Sequence, residues 1–276
     1  MVIRTKELTR LFGGLSAVEN VDFELGDDEL CAIIGPNGAG KTTFFDLITG
    51  ELIPSSGTVE LRENGEWTNI TSMSVDEVAS RGVHRSYQIT NLFPSNTVLE
   101  NVRVATQKRD SSNFWRSVTS FKSHRDKAME ILEFVGLDAY AEMNAEDLSH
   151  AEKRRLEMGV ALAGDPKLLM LDEPTAGVSS EEVSEITGLI QKVAEQHHVM
   201  FIEHNMDIVM DISDRVVVFN RGSVIADGTP DEVEGDEDVQ EAYLGSYDRG
   251  SSSTRRDERG SGGPGPGPGG GQSGTP

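Results

Sequence analysis

No stretch of this sequence keeps about 18 apolar residues together, so nothing in it is expected to span a membrane. The opening segment, Met1 to Arg10, is polar and lacks the apolar core of a signal peptide, which points to a protein made and kept in the cytoplasm. Cysteine is nearly missing. The one present, Cys31, excludes an intrachain disulfide, and its place in Leu30-Cys31-Ala32-Ile33-Ile34 reads as a small buried hydrophobe. Positive charge is short as well. There are 25 basic residues against 47 acidic ones, a net charge of −22, and lysines are scarce among the basic residues. Such a surface repels polyanions, so no nucleic-acid partner is expected. It is similar to the surface of proteins from salt-rich cytoplasm; an ordinary acidic protein with acidic loops is the alternative. No internal repeat is found.

What the chain does have is length and apolar content. Its 276 residues, 36% of them hydrophobic, suit one sizeable domain, or a domain with a subdomain and a tail. The composition changes at about Arg249. Ser251 to Pro276 is Ser and Arg, then almost only Gly and Pro, which cannot bury enough apolar surface to offset chain entropy. A domain over 1–248 and a disordered tail over 249–276 are therefore expected.

Within 1–248, strand and helix patterns alternate. Leu30 to Ile34 is a short apolar run ahead of a Gly-rich loop, as in a buried parallel strand, and Lys41 to Thr49 reads as a helix. Lys167 to Leu171 and His198 to Ile202 are further apolar strands, with a helical pattern from Glu181 to Gln196 between them. This rhythm predicts an α/β fold with a mainly parallel sheet. Residues 2–25 alternate apolar and polar, as an antiparallel β layer would. Residues from about 91 to 164 look helical throughout and predict an inserted helical subdomain. There Ala128, Ile131, Leu132 and Val135 fall on one face of a helix beginning near His124. Thr106 to Ser123 lacks periodicity and reads as a loop or irregular insertion, with Phe114 and Trp115 either core or partner contacts.

The strongest chemical signal is Gly35-Pro36-Asn37-Gly38-Ala39-Gly40-Lys41-Thr42, followed by Thr43, between a strand and a helix. Glycines let successive backbone N–H groups turn inward around phosphate oxygens, and the following helix adds its positive end. Lys41 can reach β- and γ-phosphates, and Thr42 offers a hydroxyl to Mg²⁺. ATP and Mg²⁺ are the expected ligands. The second signal is Leu168-Leu169-Met170-Leu171-Asp172-Glu173, an apolar strand ending in two carboxylates. Successive strand residues point apart, so the acids can divide the work. Asp172 is placed to hold Mg²⁺ through water, and Glu173 to orient or deprotonate the attacking water.

On these residues the chain resembles the ATPases of ABC transporters over roughly 2–245, and the fold implied is a P-loop NTPase core. Leu148-Ser149-His150-Ala151-Glu152 stands where that family has Leu-Ser-Gly-Gly-Gln, whose serine and helix end contact the γ-phosphate held by a second subunit. Ser149 by itself is also a good helix N-cap. Both signature glycines and the glutamine are replaced here, so Glu152 needs a cation or an outward orientation. The resemblance gives Gln88 a contact to Mg²⁺ and to the membrane subunit, and gives His204 a contact to the γ-phosphate. It gives Phe12 a stacking contact on adenine, with core as the other reading. Ser179, in Ala176-Gly177-Val178-Ser179, stands where the family usually has Asp or Asn and brings no charge.

The resemblance further implies a second ATP-binding subunit, integral membrane permease subunits and, indirectly, an extracytoplasmic solute-binding protein. The chain would sit on the cytoplasmic face of the cell membrane, with Leu92-Phe93-Pro94 near the permease. In detail it is similar to the branched-chain amino-acid uptake subgroup. Phe12 to Val18, Gln88 to Phe93 with Thr97 to Val102, and Asp238 to Gly245 carry that likeness, while Leu148-Ser149-His150 is also like urea and short-chain amide importers. An exporter ATPase for lipid or lipopolysaccharide is a third possibility from a sister group.

Overall fold

In a computed structural model of the chain, residues 1–27, 29–86, 92–107 and 118–242 are described, with side chains omitted over 118–123. Gln88, Phe114, Trp115, residues 243–245 and the expected tail lie outside the described residues.

The chain opens with β1 (Ile3–Phe12) and β2 (Leu15–Leu25), then β3 (Leu30–Ile34), α1 (Lys41–Thr49), β4 (Ser56–Glu63) and β5 (Glu66–Asn69). A short α2 (Val75–Ser80) and β6 (Val83–Ser86) follow, then helices α3 (Val98–Thr106), α4 (Val118–Phe134) and α5 (His150–Ala163). The remainder is β7 (Leu168–Asp172), α6 (Ser180–Ala194), β8 (His198–Ile202), α7 (Met206–Ile212), β9 (Arg215–Asn220), β10 (Ser223–Gly228) and α8 (Pro230–Glu234).

Two sheets form. The first is antiparallel, in the order β2-β1-β4-β5, and contains the expected N-terminal layer. The second has the order β10-β9-β3-β8-β7-β6 and is parallel except for the β9–β10 hairpin. Strands β3 and β7 are buried on both faces, and this explains their unbroken apolar runs. Leu30, Ala32, Ile34, Leu169 and Leu171 pack toward the helices α3 to α6. Cys31, Ile33, Leu168 and Met170 pack on the other side, against α1 and the antiparallel sheet. Burial at Cys31 pushes its thiol far above the ordinary range, so it is the inert buried group expected.

The segment from 91 to 164 is less uniformly helical than its composition suggests. Between α4 and α5 the chain makes only two short 3-10 turns, Asp138–Tyr140 and Ala145–Asp147. Helix α4 also starts at Val118, six residues before His124. Its first turns contain Val, Thr and Ser, which are weak helix formers, so neither propensity nor periodicity marks them. Of the four residues expected on one face of α4, Ala128, Leu132 and Val135 are buried, while Ile131 is only partly so. The polar Asn101 fastens α3 to the preceding loop. Its Oδ1 accepts from Phe93 N at 2.7 Å, and its Nδ2 donates to the carbonyls of Phe93 at 3.1 Å and Thr97 at 2.9 Å. A buried amide so fully paired costs little to keep and holds Phe93 at the surface.

Candidate active site

The strand ends of β3 and β7 deliver the two signals to one place. Strand β3 runs into the glycine loop, which bends under the sheet edge at two points where only glycine fits. A Cβ on Gly35 would sit 2.1 Å from the carbonyl oxygen of Phe219, and one on Gly40 would sit 2.2 Å from that of Ala17. Gly40 also has φ +106°, which no L side chain adopts comfortably. Gly40→Ala should therefore destabilise the protein by about 2–4 kcal/mol, read as a lower denaturation midpoint.

Helix α1 then starts from Gly40 with no side-chain cap and no acid in its first turn. That is unusual in this chain. Helices α3, α5, α7 and α8 are all capped by side chains, and each carries an acid in its first turn. The free N–H groups and positive end of α1 are thus left for an outside anion. Nine residues make too short a helix to stand alone. Phe44 and Phe45, both fully buried, hold it in place at about 1.5–3 kcal/mol each.

The side chain of Lys41 is buried, and its Nζ donates to the carbonyls of Gly35 at 2.7 Å and Pro36 at 3.2 Å. No carboxylate among the described residues forms an ion pair with it. Burial lowers its pKa below the usual lysine value, opposed by the fields of Glu173 and Asp172. A buried ammonium with one hydrogen to spare suits a phosphate oxygen.

Above this floor lies a cavity of about 420 Å³, inside the range of small-ligand sites. Leu15, Ser16 and Ala17 form one wall, Asn37 through Thr43 the floor, and Glu173, His204 and Arg221 the other side. Gly35 and Pro36 do not line it and serve instead as acceptors for Lys41. Phe12 stands outside the lining. It is 45% exposed, with the Arg10 guanidinium 4.7 Å over its ring, so it is not a core residue. Ser149 also stands outside the cavity of its own chain.

The two acids after β7 diverge as alternation predicts. Asp172 is buried, and its Oδ2 accepts from Arg85 Nη2 at 2.6 Å. The same guanidinium bonds Asp46 of α1 at 2.5 Å and lies 3.6 Å from Glu51. Burial alone would lower the Arg85 pKa, but the bonds and fields of Asp46 and Asp172 hold it above normal. Sequence reading missed Arg85. A charged residue in a short strand beside Gln88 was the available hint. Glu173 instead adopts φ +48°, a strained conformation for a non-glycine residue and one that clusters at functional sites. Its amide still donates to Ile202 O at 2.9 Å. Its Oε1 lies 2.8 Å from Nε2 of His204, within reach of an N–H donated by the imidazole.

Glu203 holds this arrangement together and was also missed. It is buried, and its Oε1 accepts from the amide of Thr175 at 3.0 Å and its hydroxyl at 2.6 Å. Its Oε2 accepts from His204 N at 3.1 Å. One carboxylate thus ties the loop after Glu173 to the loop carrying His204.

The altered segment at 148–152 solves its own charge. Ser149 caps α5, accepting from Glu152 N at 3.3 Å, while Glu152 Oε2 accepts from Ser149 N at 2.7 Å. Burial raises the Glu152 pKa, but the bonds from Ser149 and Tyr140 and the field of Arg155 outweigh it and leave it below the usual value. Glu152 therefore turns back onto its own helix end.

For Mg²⁺ the donor set is sparse. Among the described residues no three His, Cys, Asp or Glu side chains converge. Thr42 lines the cavity floor, while Asp172 does not line it and gives one oxygen to Arg85. Few protein oxygens, completed by phosphate and water, match how this ion is usually held.

A capless helix behind a glycine loop, with paired carboxylates at the end of a parallel strand one place removed in the sheet, defines a phosphate-loop nucleotide hydrolase. The model of the family described as "ABC transporter" matches residues 18–176, and the chain belongs to that family as an ATPase whose hydrolysis is coupled to transport. A second model, "Branched-chain amino acid ATP-binding cassette transporter", matches residues 223–249. The chain is 39% identical to LivG of Salmonella typhimurium, a high-affinity branched-chain amino acid transport ATP-binding protein, over 85% of this chain and 94% of that one. It is 30% identical to LptB of Escherichia coli, a lipopolysaccharide export ATP-binding protein, over 88% and 97%. Among solved structures it matches MJ1267 in its ADP conformation with TM-score 0.76 and 28% identity, over 88% of this chain and 98% of that one. It matches the dimeric cassette MJ0796 with TM-score 0.70 and 25% identity, over 83% and 98%. Among the described residues no helix is long and apolar enough to cross a membrane.

Proposed function

We propose that this chain is the ATP-hydrolysing subunit of an importer of branched-chain amino acids. It would sit on the cytoplasmic face of the cell membrane, paired with a second ATP-binding subunit and with integral permease subunits. An extracytoplasmic solute-binding protein would feed the assembly. Two likenesses favour this solute over lipopolysaccharide export: the higher identity to LivG than to LptB, and the C-terminal match over 223–249. The surface residue Phe93, held out by Asn101, is the apolar contact offered to the permease.

The observation that carries the mechanism is the 2.8 Å approach of Glu173 to His204 at the side of the phosphate cavity. Phosphoryl transfer to water needs positioning and charge neutralisation more than covalent chemistry. The amides of 37–43 and the positive end of α1 hold the β- and γ-phosphates, with Lys41 bearing on their oxygens. Glu173 orients the attacking water and takes its proton, and the Nε2–H of His204, which holds that carboxylate here, passes to a γ-phosphate oxygen when nucleotide is bound. Thr42, Asp172 and Gln88 are the residues that would hold Mg²⁺, which when bound neutralises charge developing on the phosphates. Phe12, exposed outside the cavity lining, is assigned to stack on adenine. Ser149 and the capped end of α5, which do not line their own cavity, would complete the site of the partner subunit.

The test is to reconstitute the chain with its permease and solute-binding partners in liposomes and follow ATP hydrolysis. Leucine, isoleucine or valine should stimulate turnover, and urea should not. Stimulation by urea alone would overturn the amino-acid assignment and leave the ATPase intact.

A further inference from the structure

The hairpin between β9 and β10 closes on two residues. Asn220 and Ser223 face each other across the strands, and Arg221 and Gly222 make the turn with φ +50° and +89°. Two successive positive φ values define the type that favours Asn-Gly or Asp-Gly. Arginine in the first position is a poor choice for the turn. An unfavourable residue kept in a strained position points to a role for its side chain.

The turn is pinned against the phosphate loop. Gly222 N donates to Ala39 O at 2.8 Å, and Glu19 N donates to Gly222 O at 2.8 Å. Arg221 thereby joins Lys41 and His204 as the nitrogen-bearing side chains of basic residues that line the 420 Å³ cavity. In so acidic a chain, arginines find carboxylates readily. Arg4, Arg85, Arg103, Arg154 and Arg215 each pair with one at 2.5–2.9 Å. Arg221 makes no hydrogen bond or ion pair among the described residues. Asp238 and Glu241 share an adjoining cavity with it but form no ion pair with it.

We propose that Arg221 is a nucleotide-binding residue whose guanidinium takes phosphate oxygens of ATP or ADP held over the phosphate loop. The inference rests on the nucleotide site described above. A planar fork of donors suits phosphate oxygens, and an exposed arginine at the cavity wall is free to close on them.

Arg221→Asn separates this role from a structural one. Asparagine suits the turn better, so the melting temperature of the nucleotide-free full-length chain should hold or rise. Its affinity for ATP and ADP by titration calorimetry should fall roughly tenfold. Arg221→Lys should lose less, because it keeps the charge but not the fork. Inorganic tripolyphosphate should compete less well in Arg221→Asn than in the wild type. Unchanged ATP affinity in Arg221→Asn overturns the proposal. So does a parallel fall in melting temperature and affinity, which marks a damaged turn. Unchanged tripolyphosphate competition overturns it too, placing the guanidinium on base or ribose. A wild-type chain that binds no nucleotide overturns the site reading itself, and the inference with it.

Discussion

Glu173→Gln should keep ATP binding and lower turnover by about 10²–10⁴, the usual weight of a positioned base. Gln is the same size and can still accept from His204 Nε2, whose 2.8 Å approach holds the present carboxylate. The strained backbone at φ +48° is untouched by the change. What is lost is the negative charge that polarises water and takes its proton. Removing that charge also relieves repulsion of the triphosphate, so ATP affinity should hold or improve. Steady-state phosphate release by the reconstituted subunit reads the first effect, and equilibrium ATP binding reads the second. Ordinary turnover by this variant would remove Glu173 from the role.

Lys41→Ala should abolish nucleotide binding while leaving the fold largely in place. Two opposing terms set its stability. The carbonyls of Gly35 and Pro36 lose their donor, at a cost of about 1–3 kcal/mol if both stay buried. Removing a cation that burial already disfavours returns part of that. The nucleotide effect is larger and one-sided. At a hundredfold excess over Kd, ATP stabilises a binding protein by about 2.7 kcal/mol. The wild type should show this protection in thermal melting and Lys41→Ala should not. A protective shift of wild-type size in the variant would show that the amides and the end of α1 suffice without the ammonium.

The sequence by itself determined the strands that are buried on both faces, because such strands must be continuously apolar. Leu30–Ile34 and His198–Ile202 were legible to the residue, and α1 to its ends. It also determined the phosphate loop, because glycines at fixed offsets between a strand and a helix leave few other readings. The divergence of Asp172 and Glu173 follows from the two-residue period of a strand.

The tertiary structure decided everything that depends on partners far apart in the chain. Arg85 meets Asp172 across 87 residues, and Glu203 meets Thr175 across 28. Neither pairing leaves a local period to read. Arg221 reaches the cavity only because its hairpin is pinned to Ala39. Glu152 looked like a stray charge beside the partner's phosphate until its carboxylate closed onto Ser149. Local patterns specify which backbone groups are presented. Which side chain neutralises, clamps or awaits a ligand is set by distances that only the packed sheets and helices create.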